Sequence, residues 1–160
     1  MQKTINNLLQ EIKQEAKNIN IPVGNIDPCV KINNRTTKRL GMCSKRGDAY
    51  YIQISSYITE NVQAIKEVLA HEILHTAPDC FNHGNLWKRY GNMMSRKYGY
   101  NISRTANIAC YGISQPQKAS TYTIKCQRCG QEIHRQKKSN LVTNTNLYRC
   151  GKCKGKLILM

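Results

Sequence analysis

Apolar side chains recur at Ile5, Leu8, Leu9, Ile12, Ala16 and Ile19, one stripe at helical spacing. The stripe predicts a packing helix over 4–19, with Thr4 as its cap and Pro22 and Gly24 at its exit. The period then changes. Cys29-Val30-Lys31-Ile32 reads as a short strand, Asn33-Asn34 as a turn, and 36–43 as a second strand. Lys45-Arg46-Gly47-Asp48 is a further turn signal, after which Tyr50, Ile52 and Ile54 alternate with Tyr51, Gln53 and Ser55. The expectation is a three-stranded antiparallel meander. Ile65, Val68, Leu69 and Ile73 return to helical spacing and predict a helix over 59–76, capped by Thr59, with Glu60 near its positive end and Ala77-Pro78 as its stop. A further helix over 84–98 carries Leu86, Trp87, Tyr90, Met94 and Tyr98 near one side, a stripe that reads as core.

The helix over 59–76 contains His71-Glu72-Ile73-Leu74-His75. Residues four apart share a helix face, so both imidazoles can aim at one point. A catalytic zinc needs three protein ligands and one open position. His83, followed by Gly84, is the nearest third ligand, brought back by the short loop 79–83; Asp79 and Cys80 compete with it on spacing alone. Glu72 stands next to the first ligand, where it can take a proton from the zinc's water as that water attacks a carbonyl. An HExxH stretch recurs by chance. Here the flanks are helical, and three of the chain's four histidines fall within thirteen residues. A structural zinc at 71/75/83 would leave Glu72 without a task. Tyr90 or a basic residue of the meander could serve as the oxyanion partner.

Residues 121–160 hold Cys126-Gln127-Arg128-Cys129 and Cys150-Gly151-Lys152-Cys153. Each pair can sit on a tight knuckle, with Gly130 and Gly151 easing the turns. Four thiolates close a tetrahedral, structural zinc site with no open position. Tyr122-Thr123-Ile124 and Asn146-Leu147-Tyr148 read as strand-like flanks, and 113–120 as a linker between a domain over 1–112 and this four-cysteine ribbon. A segment of about forty residues needs such a staple to fold. No continuous apolar run follows Lys3 and none is long enough to span a membrane, so a reducing cytoplasmic compartment is expected, with cysteines as metal ligands before disulfides. Cys29, Cys43, Cys80 and Cys110 are expected to be small buried apolar residues.

Charge adds a partner to this picture. The 160 residues carry a net charge of +16, which favours an anionic partner, most commonly nucleic acid. The ribbon supplies half of it: Lys125, Arg128, Arg135, Lys137, Lys138, Arg149, Lys152, Lys154 and Lys156 face only Glu132. With Tyr122 and Tyr148, these cations could track a phosphate backbone and stack bases. Arg35, Lys38 and Arg39 in the meander read either as a solvated basic face or as a phosphate-contacting rim. His134 is expected to face solvent.

His71-Glu72-Ile73-Leu74-His75, then His83-Gly84-Asn85-Leu86-Trp87-Lys88, with the basic stretch from Asn33 to Gly41 before them and the cysteine ribbon after, resembles the SprT-like domain shared with Spartan-type proteases. The resemblance implies a DNA-dependent zinc metalloprotease acting on DNA-bound or DNA-crosslinked proteins. It implies His71, His75 and His83 as ligands, Glu72 as the catalytic residue, and a ribbon that contacts single-stranded or disrupted DNA. The partner-binding tail of the eukaryotic members is absent, which points to a small bacterial or phage protein. The expected architecture is α+β: a small zincin-like domain (N-terminal helix, meander, HExxH helix, further helix) followed by a β zinc ribbon. The expected protein is a nucleoid-associated monomer holding two zinc ions, one catalytic and one structural. Two other functions fit the same residues: a DNA-binding or transcription-associated module without protease activity, and a regulatory protease that cuts one repressor with little DNA dependence. The charge excess argues against the latter.

Overall fold

The computed structural model describes residues 1–35, 39–105, 111–113 and 122–160. The chain divides into two compact units, Met1–Gln115 and Pro116–Met160. The expected linker at 113–120 lies almost wholly outside the described residues, as do Lys38 and Cys110.

The first unit is mixed α and β, in the order α1 (Gln2–Asn18), β1 (Lys31–Asn33), β2 (Gly41–Arg46), β3 (Ala49–Ser55), α2 (Val62–Leu74) and α3 (Asn85–Tyr98). Helix α1 buries Ile5, Leu8, Leu9, Ile12 and Ala16, the stripe its periodicity marks. It begins earlier than expected: Met1 is the cap, and Thr4 lies inside the helix, because nothing in Gln2-Lys3 opposes helical geometry. Helix α2 packs on α1 on one side and on β2 and β3 on another, so most of its residues are buried. Ala64, Ile65, Val68, Leu69, Ala70, Ile73 and Leu74 are all buried.

The cap of α2 is Asn61, whose side chain accepts the Ala64 N–H at 2.9 Å, rather than Thr59. Thr59 is consumed upstream: it closes a single 3₁₀ turn, Ser56–Ile58, and donates its hydroxyl to the Ser56 carbonyl at 2.8 Å. The helix also stops sooner, with His75 as its C-terminal cap, ahead of Ala77-Pro78. Thr76 contributes to that stop, because its hydroxyl takes the Ile73 carbonyl at 2.7 Å.

The sheet is not the antiparallel meander expected from the strand spacing. Its order is β1-β3-β2, with β2 antiparallel to β3 and β1 parallel to it. Asn33-Asn34 does not form a hairpin turn; Asn33 Oδ1 instead accepts the Arg35 N–H at 2.9 Å, and the chain crosses to the far side of β3. Strand β3 is therefore central, and its inward Ile52 and Ile54 are buried. The true hairpin is β2–β3, closed between Arg46 and Ala49 by Gly47-Asp48, with Gly47 in the left-handed region at φ 56°. Strand β2 is left as an edge, lying across α2.

The second unit is a three-stranded antiparallel sheet in the order β5-β4-β6, formed by β4 (Tyr122–Cys126), β5 (Glu132–Arg135) and β6 (Leu157–Leu159). A single helical turn, α4 (Asn140–Thr143), lies between β5 and β6. Its core is small: Ile124, Cys126, Val142, Cys150 and Leu157. The expected strand at 146–148 is a 3₁₀ turn, Thr145–Leu147, since Leu147 is exposed and has no sheet to join. Among the described residues, no helix is long and apolar enough to cross a membrane.

Candidate active site

His71 and His75 lie one turn apart, His71 in the last turn of α2 and His75 capping it. The Nδ1 of His71 donates to the Ser103 carbonyl at 3.0 Å, and the Nδ1 of His75 donates to the Cys80 carbonyl at 2.9 Å. Each carbonyl can only accept, so both rings carry their proton on Nδ1 and turn a bare Nε2 inward. The loop after α2 brings His83 back, with Asp79 at φ 58° making the bend. Nε2 of His71 then stands 3.2 Å from Nε2 of His75 and 3.0 Å from Nε2 of His83.

Three imidazole nitrogens facing one another at this range repel unless a cation lies among them. Tetrahedral zinc, with Zn–N of about 2.0–2.1 Å, sets its nitrogens about 3.4 Å apart. The donor set and spacing fit zinc. Burial and the neighbouring imidazoles hold His71 down to about 4, so its nitrogen is free of protons at neutral pH. His75 and His83 are lowered too, chiefly by burial. Trp87, buried on the inner side of α3, backs the cluster with ring centroids 4.8 Å from His71, 5.6 Å from His75 and 4.6 Å from His83.

The competing ligands do not join the cluster. Cys80 is buried in the core, where its thiol is pushed up by desolvation, and its backbone carbonyl is what serves His75. Asp79 is exposed. Tyr90 packs against the core and does not line the cleft over the histidines.

That cleft is lined by Glu72, with Arg39, Gly41, Cys43, Phe81, Ser103 and Arg104 around it. Glu72 is only 6% exposed, and burial raises its carboxyl to about 8, against the pull of the Cys43 backbone N–H and the Arg39 charge. Strand β2 presses on it from above. A Cβ on Gly41 would collide with Glu72 Oε1 and with Val68, so only glycine lets the edge strand approach this closely. Cys43, on the same strand, is half-buried in the cleft wall, its thiol pushed up to about 12 by desolvation and by Glu72. Arg39 is exposed at the mouth of the cleft, while Arg35 lies on the exposed surface away from it. Cys29 is exposed, not a buried apolar residue, because it sits in the open loop before β1.

Glu67 carries no mark in the sequence, yet it is buried one turn before His71. Its carboxylate accepts the Asn101 N–H at 3.0 Å, the Gln63 amide at 2.8 Å and the Tyr111 hydroxyl. It thereby pins both flanks of the stretch whose Ser103 carbonyl orients His71. The available signal was its register: 67, 71 and 75 share one face of the helix.

The second unit brings together Cys126, Cys129, Cys150 and Cys153. The Sγ atoms of Cys126 and Cys153 are 3.5 Å apart, and those of Cys129 and Cys150 are 3.6 Å apart. These are cross-pairs between the two knuckles, and all four thiols are free. Tetrahedral zinc with Zn–S of about 2.3 Å sets its sulfurs about 3.8 Å apart, so this set also fits zinc.

The two knuckles are built alike. Gly130 N–H reaches the Cys126 carbonyl at 3.0 Å, and Lys154 N–H reaches the Cys150 carbonyl at 2.8 Å. Knuckle amides pull two thiols down: Cys129 and Arg128 act on Cys126, lowering it to about 6, and Cys153 and Lys152 act on Cys150. Gly130 takes φ 71° as expected, but Gly151 has no special conformation. Its expected role falls to Lys154, at φ 60°, and to Gly155, where a Cβ would crowd Arg128, Cys126 and Cys153.

Of the ribbon's candidate DNA contacts, Arg128, Arg135, Lys137, Lys138, Tyr148, Arg149 and Lys152 are exposed. Several also bond within the fold, Arg135 among them through the His134 carbonyl at 3.2 Å. Lys125 pairs with Glu132 at 3.5 Å; Arg128 donates to the Cys153 carbonyl; Arg149 donates to the Asn146 and Tyr148 carbonyls. Tyr122 is packed against the small core rather than presented for stacking. His134 is exposed, beside Glu132 and Thr123.

Residues 5–106 match the family model of the SprT-like family. The chain belongs to that family. Among SprT-like relatives, Protein SprT-like of Staphylococcus carnosus (strain TM300) is 32% identical over 102 residues, covering 63% of this chain and 58% of that protein. Protein SprT-like of Lactococcus lactis subsp. lactis (strain IL1403) is 49% identical over 49 residues, 31% of each chain. Germ cell nuclear acidic protein of Homo sapiens is 27% identical over 143 residues, 80% of this chain and 19% of that protein. The matched segments thus span from about a fifth to somewhat over half of these relatives' lengths.

Proposed function

We propose that this SprT-like chain is a DNA-dependent zinc metalloprotease that cleaves proteins bound or crosslinked to DNA. The observation that carries this reading is the convergence of three Nε2 atoms in a cleft that also holds the Glu72 carboxylate. Zinc bound there would supply an acidified water and a Lewis acid for a peptide carbonyl.

The rest is the work of the chain's own residues. The Ser103 and Cys80 carbonyls fix the ring tautomers and keep the Nε2 lone pairs inward. Glu72 would take the proton at its carboxylate and return it to the leaving amine. Gly41 lets β2 hold that carboxylate in place. Arg39 and Arg104 put positive charge beside the cleft, where a carbonyl oxygen gaining negative charge would be stabilised.

The DNA dependence is supported by the net charge of +16 and by the exposed Arg135, Lys137, Lys138 and Lys152 of the ribbon, with Tyr148 as a stacking face. Single-stranded or disrupted DNA is the proposed partner. Holding DNA would raise the local concentration of DNA-bound protein at the cleft. The protein would act as a monomer at the nucleoid.

The test is cleavage of a DNA-binding protein, with and without single-stranded DNA, by the wild type and by Glu72→Gln. DNA-stimulated cleavage that disappears in the variant is expected. No cleavage by the wild type, with zinc bound and DNA affinity intact, would instead identify a DNA-binding module without protease activity.

A further inference from the structure

Helix α3 has two faces with different tasks. Its inner face buries Trp87, Gly91 and Met94, and Trp87 backs the three histidines. At 100° per residue, Asn85, Lys88, Arg89, Asn92 and Arg96 gather on the opposite side. All five are exposed, and together they line a shallow groove along the helix with Met93 at its margin. We propose that this face binds the phosphates of a nucleic-acid strand, so that the helix behind the metal site also holds the DNA. The proposal rests on the DNA-dependent reading above and adds to it a surface in the unit that carries the histidines.

The ordinary alternative is a solvated helix face, and three observations argue against it. Solvated faces mix acids with bases, because i,i+4 pairs of opposite sign stabilise the helix and like charges destabilise it. Helix α3 has Lys88, Arg89, Arg96 and Lys97 but no acidic residue. Second, none of the stripe's three cations makes an ion pair among the described residues, whereas Lys66 pairs with Glu11 at 2.7 Å and Lys125 with Glu132. Third, Lys88 and Arg89 stand near the positive end of the helix dipole, with no acid in the first turn to offset them. Arg96 and Lys97, in the last turn, are favoured by the dipole. Lys88, in the first turn, is therefore disfavoured by the dipole and has no ion-pair partner among the described residues, the pattern of a side chain open to an external anion.

The dimensions suit a nucleic-acid strand. Asn85 to Arg96 spans about 16 Å at 1.5 Å per residue, enough to face several phosphates of one strand. The amides of Asn85 and Asn92 alternate with the cations and can donate to phosphate oxygens. The face carries no exposed aromatic, so it should position a backbone without reading bases. A helix is about 10 Å across, so a strand on this face would run about one helix diameter from Trp87 and the histidines behind it.

The experiment measures affinity for a fluorescent single-stranded oligonucleotide across a salt series, using the zinc-loaded full chain. Three proteins are compared: wild type, Lys88→Gln/Arg89→Gln/Arg96→Gln, and the ribbon variant Lys137→Gln/Lys138→Gln. Each neutralised phosphate of a single strand contributes about 0.7 to the slope of log affinity against log salt. The α3 variant should therefore bind more weakly with a slope shallower by about 2. The charge-keeping variant Lys88→Arg/Arg89→Lys/Arg96→Lys should retain both slope and affinity, which separates loss of charge from loss of fold.

An unchanged slope in the Gln variant, while the ribbon variant loses affinity, overturns the α3 surface and leaves the DNA-dependent reading standing. A wild type that binds no DNA overturns both. Salt-sensitive binding of polyglutamate through these residues, without binding of DNA, would replace the nucleic acid by an acidic polypeptide and overturn the proposal.

Discussion

Single atoms decide the chemistry of this site. His71 and His75 could be read from their spacing, but the orientation of their rings depends on the Ser103 and Cys80 carbonyls, which no motif marks. Gly41 is the sharpest case. Its missing Cβ is the space that Glu72 Oε1 occupies. Gly41→Ala should displace that carboxylate and lower kcat at least tenfold while zinc content, measured by atomic absorption, stays near one ion per histidine site. A Gly41→Ala protein with wild-type kcat would remove Glu72 placement from the account.

Glu67 acts at one remove. Removing its side chain leaves the Asn101 N–H and the Tyr111 hydroxyl without their acceptor. Glu67→Ala should cost about 2–4 kcal/mol in thermal or denaturant unfolding. It should also weaken zinc binding about tenfold in chelator competition, through the loosened Ser103 carbonyl. Loss of stability with unchanged zinc affinity would confine Glu67 to a structural role.

The elements show where periodicity sufficed and where it did not. The three long helices were legible because each carries an apolar stripe that a core must cover, and burial followed those stripes. Their ends were less legible, because a cap is a competition between neighbours. Thr59 and Asn61 are both good capping residues, and the 3₁₀ turn before α2 takes Thr59 first. Asn61→Ala should therefore destabilise the first unit by about 1 kcal/mol, seen as a Tm lower by a few degrees, while Thr59→Ala costs less. In the first unit the expected strands are present, β2 shifted to Gly41–Arg46, but they pair differently; in the second, β5 and β6 carry no alternation that marks them, and the strand expected at 146–148 is a 3₁₀ turn, Thr145–Leu147. Short strands carry no mark of their partner, and only the pairing in the folded sheet shows that β3 is central and that β1 runs parallel to it.

At the scale of the whole molecule, the two units differ in what holds them. The first has a continuous core running from Ile5 to Tyr100 and can be expected to stay folded without metal. The second buries five of its described residues, two of them cysteines of the four-thiol cluster, so its folding free energy is expected to be largely that of metal binding. Chelation should unfold the ribbon first: the amides of Ile124 and Leu157 should lose hydrogen-exchange protection while those of Leu69 and Ile73 keep theirs. Simultaneous loss of protection in both units would show that the first also depends on its metal.

The sequence alone determined the chemistry available to this protein. Donor types at fixed spacing, the helical frame under HExxH, two CxxC pairs and a large positive charge are local or additive properties, and they survive any uncertainty about the fold. Tertiary structure decided everything that depends on residues distant in the chain meeting: His83, rather than Cys80 or Asp79, beside His71 and His75, Gly41 against Glu72, Glu67 under Asn101 and Tyr111, and which cations bond within the fold. The physical reason is that a ligand's identity is written in one residue, whereas its orientation and its proton are set by neighbours that only the folded chain brings into contact.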